Sequence, residues 1–340
     1  MTDQLSTTGP APTVYVEPEE SGAPRLAHFP VTFFAVVMGI AGASLAWSRS
    51  AAVLGVPEAV GQTIFWVALA VYAAVLVAYV AKAIWHPDAV RAEFAHPVRL
   101  AFVPTVTISL LLLAAAARGT LPALSGVLWW IGASGQLLLT VYVLSAWINR
   151  PDFGLTHVTP AWFIPVVGMV AVPLAGVDHA SVEISWFFFS AGVVFWIALL
   201  PMVLTRLFVH EQPVPPRLVP TLAVLIAPPA VAMIAYLRLV PDAFAGPVPR
   251  VLYYTALFFG LLFVAQADRL RRLPFFLSWW AYSFPLAALS AATTVMAGAV
   301  GGTFFTAAAW TLLIAVSALV LVLAARTAAA MLRRQVCVPE

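Results

Sequence analysis

The sequence is short of charge. Asp, Glu, Lys and Arg make up 9% of its 340 residues, against about 25% in a soluble domain. Lysine is nearly missing: Lys82 stands alone, and the rest of the 17 basic side chains are arginines. Cysteine is reduced to Cys337 near the C-terminus, which excludes an intramolecular disulfide and a cysteine metal site. The 14 acids and 6 histidines sit at the ends of apolar runs or between them, none deep inside one. A buried ionisable relay, which proton-coupled carriers need, is therefore not expected. Haem ligation by paired histidines and a mid-span Schiff-base lysine are excluded on the same ground. There is no G-x-S-x-G, P-loop or GxGxxG pattern, and His210 and Glu211 lack the second histidine of a zinc-protease helix. The chain is read as not an enzyme, with no cofactor, no metal and no nucleic-acid partner.

What is plentiful is apolar surface, at 63% of residues. Its runs exceed the roughly 18 residues that mark a membrane span. Ten spans are expected, at 30–47, 62–85, 100–117, 126–148, 160–176, 184–208, 220–236, 251–267, 277–300 and 303–326. The fold class is an all-α membrane protein. Residues 1–27, with Pro10, Pro12, Pro18, Pro24 and three glutamates, read as a disordered cytoplasmic tail rather than a signal peptide. Residues 28–326 form the transmembrane domain and 327–340 a second cytoplasmic tail. With the N-terminus inside, 13 basic residues are cytoplasmic and 4 (Arg49, Arg118, Arg238 and Arg250) are external. That asymmetry orients both termini toward the cytoplasm of a multi-pass cell-membrane protein.

Proline is distributed with a period. Pro104, Pro165 with Pro173, Pro228 with Pro229, and Pro285 fall in the third, fifth, seventh and ninth spans. From Pro104 to Pro165, Pro229 and Pro285 the steps are 61, 64 and 56 residues. The first span has Gly39 and Gly42 at the corresponding place. The chain thus reads as five helical hairpins, each a bent helix followed by a straighter one. Proline removes a helix hydrogen bond and clashes with the carbonyl four residues back. Lipid cannot repair that carbonyl, so bent helices belong inside, around a central pore, and straight ones outside.

Pro285 and the adjacent Phe284 are the focus: a kinked pore helix carrying an aromatic plug. Phe33, Phe34, Phe102 and Phe163, in other odd spans, are candidates to pack around Phe284 as a dewetted constriction. Thr105, Ser283 and Thr293 are pore-lining candidates, although most span hydroxyls are expected to bond the preceding turn. Weak hydroxyl sites without a fixed charge favour throughput, and cytoplasmic arginines raise anion concentration at that mouth.

Three stretches then carry a resemblance: 28–47 (HFPVTFFAVVMGIAGASLAW), 93–105 (EFAHPVRLAFVPT) and 278–286 (SWWAYSFPL). They resemble the tellurite-resistance and dicarboxylate transporter (TDT) family, with its TehA-like bacterial channels and plant guard-cell slow anion channels. The resemblance covers about 30–326. It implies ten helices as five hairpin repeats, odd helices lining a pore, Phe284 in the occluding position, and a homotrimer. Pro285 is similar to the plant pattern; the bacterial channels carry glycine there. The function implied is a passive channel for small anions such as chloride, nitrate, dicarboxylate or tellurite, in contact with membrane lipids. The alternative is a secondary carrier exporting sulfite or a C4-dicarboxylate such as malate. A scaffold or sensor acting through its tails is the reading from another class.

Overall fold

The computed structural model describes residues 25–209 and 214–337. Most of the expected N-terminal tail, and His210 with Glu211, lie outside them. Among the described residues the regular structure is helical, as thirteen α-helices with 3-10 turns and short loops between them. In chain order these are α1 Phe34–Leu54, α2 Glu58–Trp85, α3 Pro87–Ala95, α4 Thr105–Ala117, α5 Pro122–Asn149, α6 Phe163–Ala171, α7 Pro173–His179, α8 Val182–Val209, α9 Ala227–Leu239, α10 Val248–Val264, α11 Ala267–Arg271, α12 Ser283–Val300 and α13 Thr303–Leu332.

Nine continuous helical segments among the described residues are long and apolar enough to cross a bilayer. The tenth, α10, has 17 residues. It starts and stops about three residues earlier than its sequence suggests, entered through Pro247 and Pro249. Its last turn closes through Ala265 N–H to Leu261 O at 2.9 Å. At 1.5 Å per residue it spans about 25 Å, short of a 30 Å hydrocarbon layer. α13 continues to Leu332, six residues past the expected end of the last span. Arg25–His28 form a 3-10 turn, although the sequence assigns Arg25, Leu26 and Ala27 to the disordered tail.

Two layers separate cleanly. In the first, third, fifth, seventh and ninth spans, 72% to 89% of the most apolar stretch is buried, against 22% to 39% in the second, fourth, sixth and tenth. The outer helices present Ile84, Leu138, Phe187, Ile197, Leu261 and Leu321 outward, a surface that only lipid or another apolar face matches. Gly301 and Gly302, at φ of 72° and 85°, form the tight turn of the last hairpin.

The inner spans share one local design. Each opens with a 3-10 turn (Val31–Phe33, Arg99–Phe102, Pro160–Trp162, Pro216–Ile226 and Leu277–Tyr282) and then becomes α-helical. Hydroxyls fasten these entries by bonding three residues back. Thr105 donates to Phe102 O at 2.6 Å, Thr221 to Leu218 O at 2.6 Å and Ser283 to Trp280 O at 2.6 Å. Outer helices satisfy further inner carbonyls. Gln136 and Thr140 on α5 both donate to Pro165 O, at 2.7 and 3.1 Å, and Trp129 Nε1 donates to Val172 O at 2.9 Å. Helix α1 packs closely on α12 because Gly39 and Gly42 face it; a Cβ on Gly39 would fall 2.1 Å from Ser283 Oγ.

Candidate permeation site

The prolines do their work differently from a mid-helix kink. Pro104 immediately precedes α4, Pro173 opens α7, and Pro165, Pro229 and Pro285 are each the third residue of α6, α9 and α12. The first N–H groups of a helix have no intrahelical partner, so proline there removes nothing. The expected clash of Pro285 with Ala281 O does not arise, because Leu277–Tyr282 is 3-10 and not α-helical. What proline marks is the junction between two helical geometries.

These junctions surround a central cavity. Ala35 and Met38 line it from the first span, Phe102, Thr105 and Ile108 from the third, and Ile164 and Val167 from the fifth. Val224 and Ala227 contribute from the seventh, and Trp280, Ala281, Phe284 and Pro285 from the ninth. All five inner spans contribute and no outer span does. The cavity holds about 40 Å³, room for roughly one water at ~30 Å³ each. Its walls are apolar. The Thr105 hydroxyl is already spent on Phe102 O, and Trp280 directs its Nε1–H away, to Thr327 on α13 at 2.9 Å.

Phe284 is 6% exposed and forms part of this wall. Its ring lies against α1 at a place only glycine leaves open. A Cβ on Gly42 would come within 3.3 Å of Phe284 Cδ2 and 3.1 Å of the Ala287 Cβ.

Of the other aromatics singled out by sequence, Phe102 shares the cavity. Phe33 instead stacks on Phe29, with ring centroids 4.5 Å apart. Phe34 sets its edge against Tyr72 and Tyr79 of α2, and Phe163 is buried outside the lining. Thr105 lines the cavity. Ser283 is turned toward Gly39, and Thr293 bonds Leu289 O and Tyr253 of α10, away from the axis. Pro285 is in the wall, while Pro104, Pro165, Pro173 and Pro229 are not among the lining residues. Six hydroxyls of the inner spans (Thr105, Thr107, Ser109, Ser283, Thr293 and Thr294) bond a carbonyl three or four residues back, as expected of most span hydroxyls. The aliphatic wall of Met38, Ile108, Ile164, Val167 and Val224 was not legible, because these side chains are identical in type to core packing.

A second correction concerns buried charge. Lys82 and Glu93 are 2% and 3% exposed at their side chains and 2.9 Å apart. Lys82 also donates to Phe29 O at 2.9 Å. Glu93 accepts from Val31 N–H at 3.2 Å and from the Tyr79 hydroxyl at 2.9 Å. The pair ties α2 and α3 to the 3-10 entry of the first span. Neither residue is deep within a span, so position along the chain concealed the burial. The one available signal was Tyr79 and Lys82 three apart on one helix face.

Comparison with known proteins agrees with this architecture. The family described as voltage-dependent anion channel, SLAC1, matches over residues 28–328. The S-type anion channel SLAH2 of Arabidopsis thaliana is 30% identical over 285 residues, 82% of this chain and 54% of the plant protein. An uncharacterized transporter of Methanocaldococcus jannaschii is 29% identical over 299 residues, 81% of this chain and 85% of its own. A tellurite resistance protein TehA homolog of Haemophilus influenzae is 27% identical over 274 residues, 78% of this chain and 80% of its own. The chain therefore spans about half the length of the plant relative. Its ten apolar helices, its two-layer arrangement and a match over nearly the whole described region establish that this chain belongs to the SLAC1 family of voltage-dependent anion channels.

Proposed function

We propose that the chain is a passive membrane channel for small anions, closed in this conformation by Phe284. The observation that carries this reading is the central cavity: five inner spans converge on it, Phe284 forms part of its wall, and it admits about 40 Å³. A hydrated anion does not fit such a space, and stripping its water in an apolar constriction costs several kcal/mol. The absence of a fixed charge among the lining residues supports rapid release over tight binding. The plant and bacterial relatives, named as an anion channel and a tellurite resistance homolog, support the anionic substrate.

Both termini face the cytoplasm in this reading, from the 13-to-4 distribution of basic residues. The functional unit is a homotrimer by family resemblance, with the apolar outer helices meeting lipid and neighbouring copies. The test is planar-bilayer recording of purified protein with chloride, nitrate and malate in turn. Reversal potentials that follow the anion gradient are expected. Flux that saturates and is stimulated by counter-substrate would replace the channel with a carrier.

A further inference from the structure

Beyond the cavity, the inner spans place charge at one level. Arg49, Arg118, Asp178 and Arg238 follow the lining residues Met38, Ile108, Val167 and Ala227 by 11, 10, 11 and 11 residues. Three α-helical turns are about 10.8 residues, so these side chains return to the face that lines the cavity, about 16 Å further along. Four repeats thus present a charged group to the axis at the same height, from α1, the end of α4, α7 and α9. Three of the four also meet in space. Arg238 Nη2 lies 2.8 and 2.7 Å from the two Asp178 carboxylate oxygens, and Arg118 Nη1 lies 3.4 Å from Oδ2. Arg49, on α1, belongs to the same level by its register.

The balance is three guanidinium groups to one carboxylate. Asp178 engages Arg118 and Arg238, whereas no hydrogen bond or ion pair engages Arg49 among the described residues. The Nε–H of Arg238 is buried and has no partner. A structural ion-pair cluster tends toward neutrality, and this one retains two positive charges and unused donors. We propose that this arginine ring is an anion-binding vestibule at the external mouth, taking small inorganic anions, with Asp178 as a built-in competitor that keeps the site weak. The proposal deepens the channel reading and rests on it for the ring's role in conduction; the binding itself does not need conduction. Arg250, the remaining external arginine, is not part of the ring: it bonds Phe244 O and Gly246 O.

In a water-filled mouth, one unit charge about 10 Å from an anion changes its local concentration about twofold. Chloride line broadening in chlorine NMR of the detergent-solubilised full chain reads binding without requiring an open pore. Arg49→Gln is expected to reduce the specific broadening by about twofold or more and Asp178→Asn to increase it. Both differences should vanish near 1 M salt, where the screening length is about 3 Å. Convergence at high salt also separates lost charge from misfolding. Equal broadening in all three proteins at low salt overturns the vestibule. Chloride currents in the Phe284→Ala background then test conduction: the same ranking for chloride supplied from the external side supports the role, and identical currents at low salt refute it. Silence of Phe284→Ala itself counts against the channel reading and leaves the NMR result standing.

Discussion

Replacing Phe284 by alanine tests the constriction most directly. The ring fills one wall of a cavity of about 40 Å³. Its removal adds a void on the order of 100 Å³, the scale of engineered cavities that accept benzene. The enlarged space holds about four or five waters at ~30 Å³ each, enough to keep part of an anion's hydration during passage. Dehydration in the closed state carries a penalty of several kcal/mol. If partial hydration recovers only about 3 kcal/mol of it, the rate rises roughly 100-fold, since each ~1.4 kcal/mol is a factor of ten. Chloride efflux from reconstituted liposomes measures this, and Phe284→Leu should fall between wild type and Phe284→Ala. Truncating a buried phenylalanine lowers stability by about 3–5 kcal/mol, so the variant must first match wild type in elution and retain a cooperative melt. Unchanged efflux from such folded protein would falsify the assignment of Phe284 as the closure.

Gly42→Val places a branched side chain where even a lone Cβ would stand 3.3 Å from Phe284 and 3.1 Å from Ala287; the ring must shift, and altered chloride flux relative to wild type is the expected result in the same liposome assay. Removing one partner of the buried Lys82–Glu93 pair leaves the other charge uncompensated, a loss of about 3–5 kcal/mol. Lys82→Met and Glu93→Gln should each melt well below wild type in detergent, and the double variant should recover a large part of the loss; additive losses would show that the two are not coupled. Gln136→Leu removes the donor that reaches Pro165 O at 2.7 Å and the acceptor of the Thr107 hydroxyl at 2.6 Å. A stability loss of about 1–3 kcal/mol is expected, read as a lower melting temperature with the pattern of ion selectivity retained.

The sequence comes close on architecture because the relevant signals are local. A bilayer imposes a minimum apolar length, so ten spans can be counted from hydropathy, including the short α10 with its ends displaced by about three residues. The alternation of inner and outer helices is visible because proline is concentrated in alternate spans, and those spans are the buried ones. Proline placement does not reveal the form of the break. The chain avoids a kink by ending a 3-10 turn where proline's missing N–H is harmless, and hydroxyls such as Thr105 and Ser283 secure the turn. The site is less legible. Phe284, Phe102 and Thr105 are in the cavity wall, but Phe33, Phe34 and Thr293 turn to neighbouring helices, because a helix offers several buried faces and sequence does not say which meets the axis.

By itself, then, the order of residues determined a membrane chain in which proline-bearing spans alternate with straighter, more exposed ones and singled out Phe284, because apolar length, charge scarcity and proline position act within one segment. Only the tertiary structure decided that five helical junctions close on one small apolar space, that Lys82 and Glu93 neutralise each other out of water, and that Arg118 and Arg238 share the Asp178 carboxylate. Those two arginines are 120 residues apart along the chain. Their proximity depends on helices packing side by side at a common depth, a relation that no local pattern encodes.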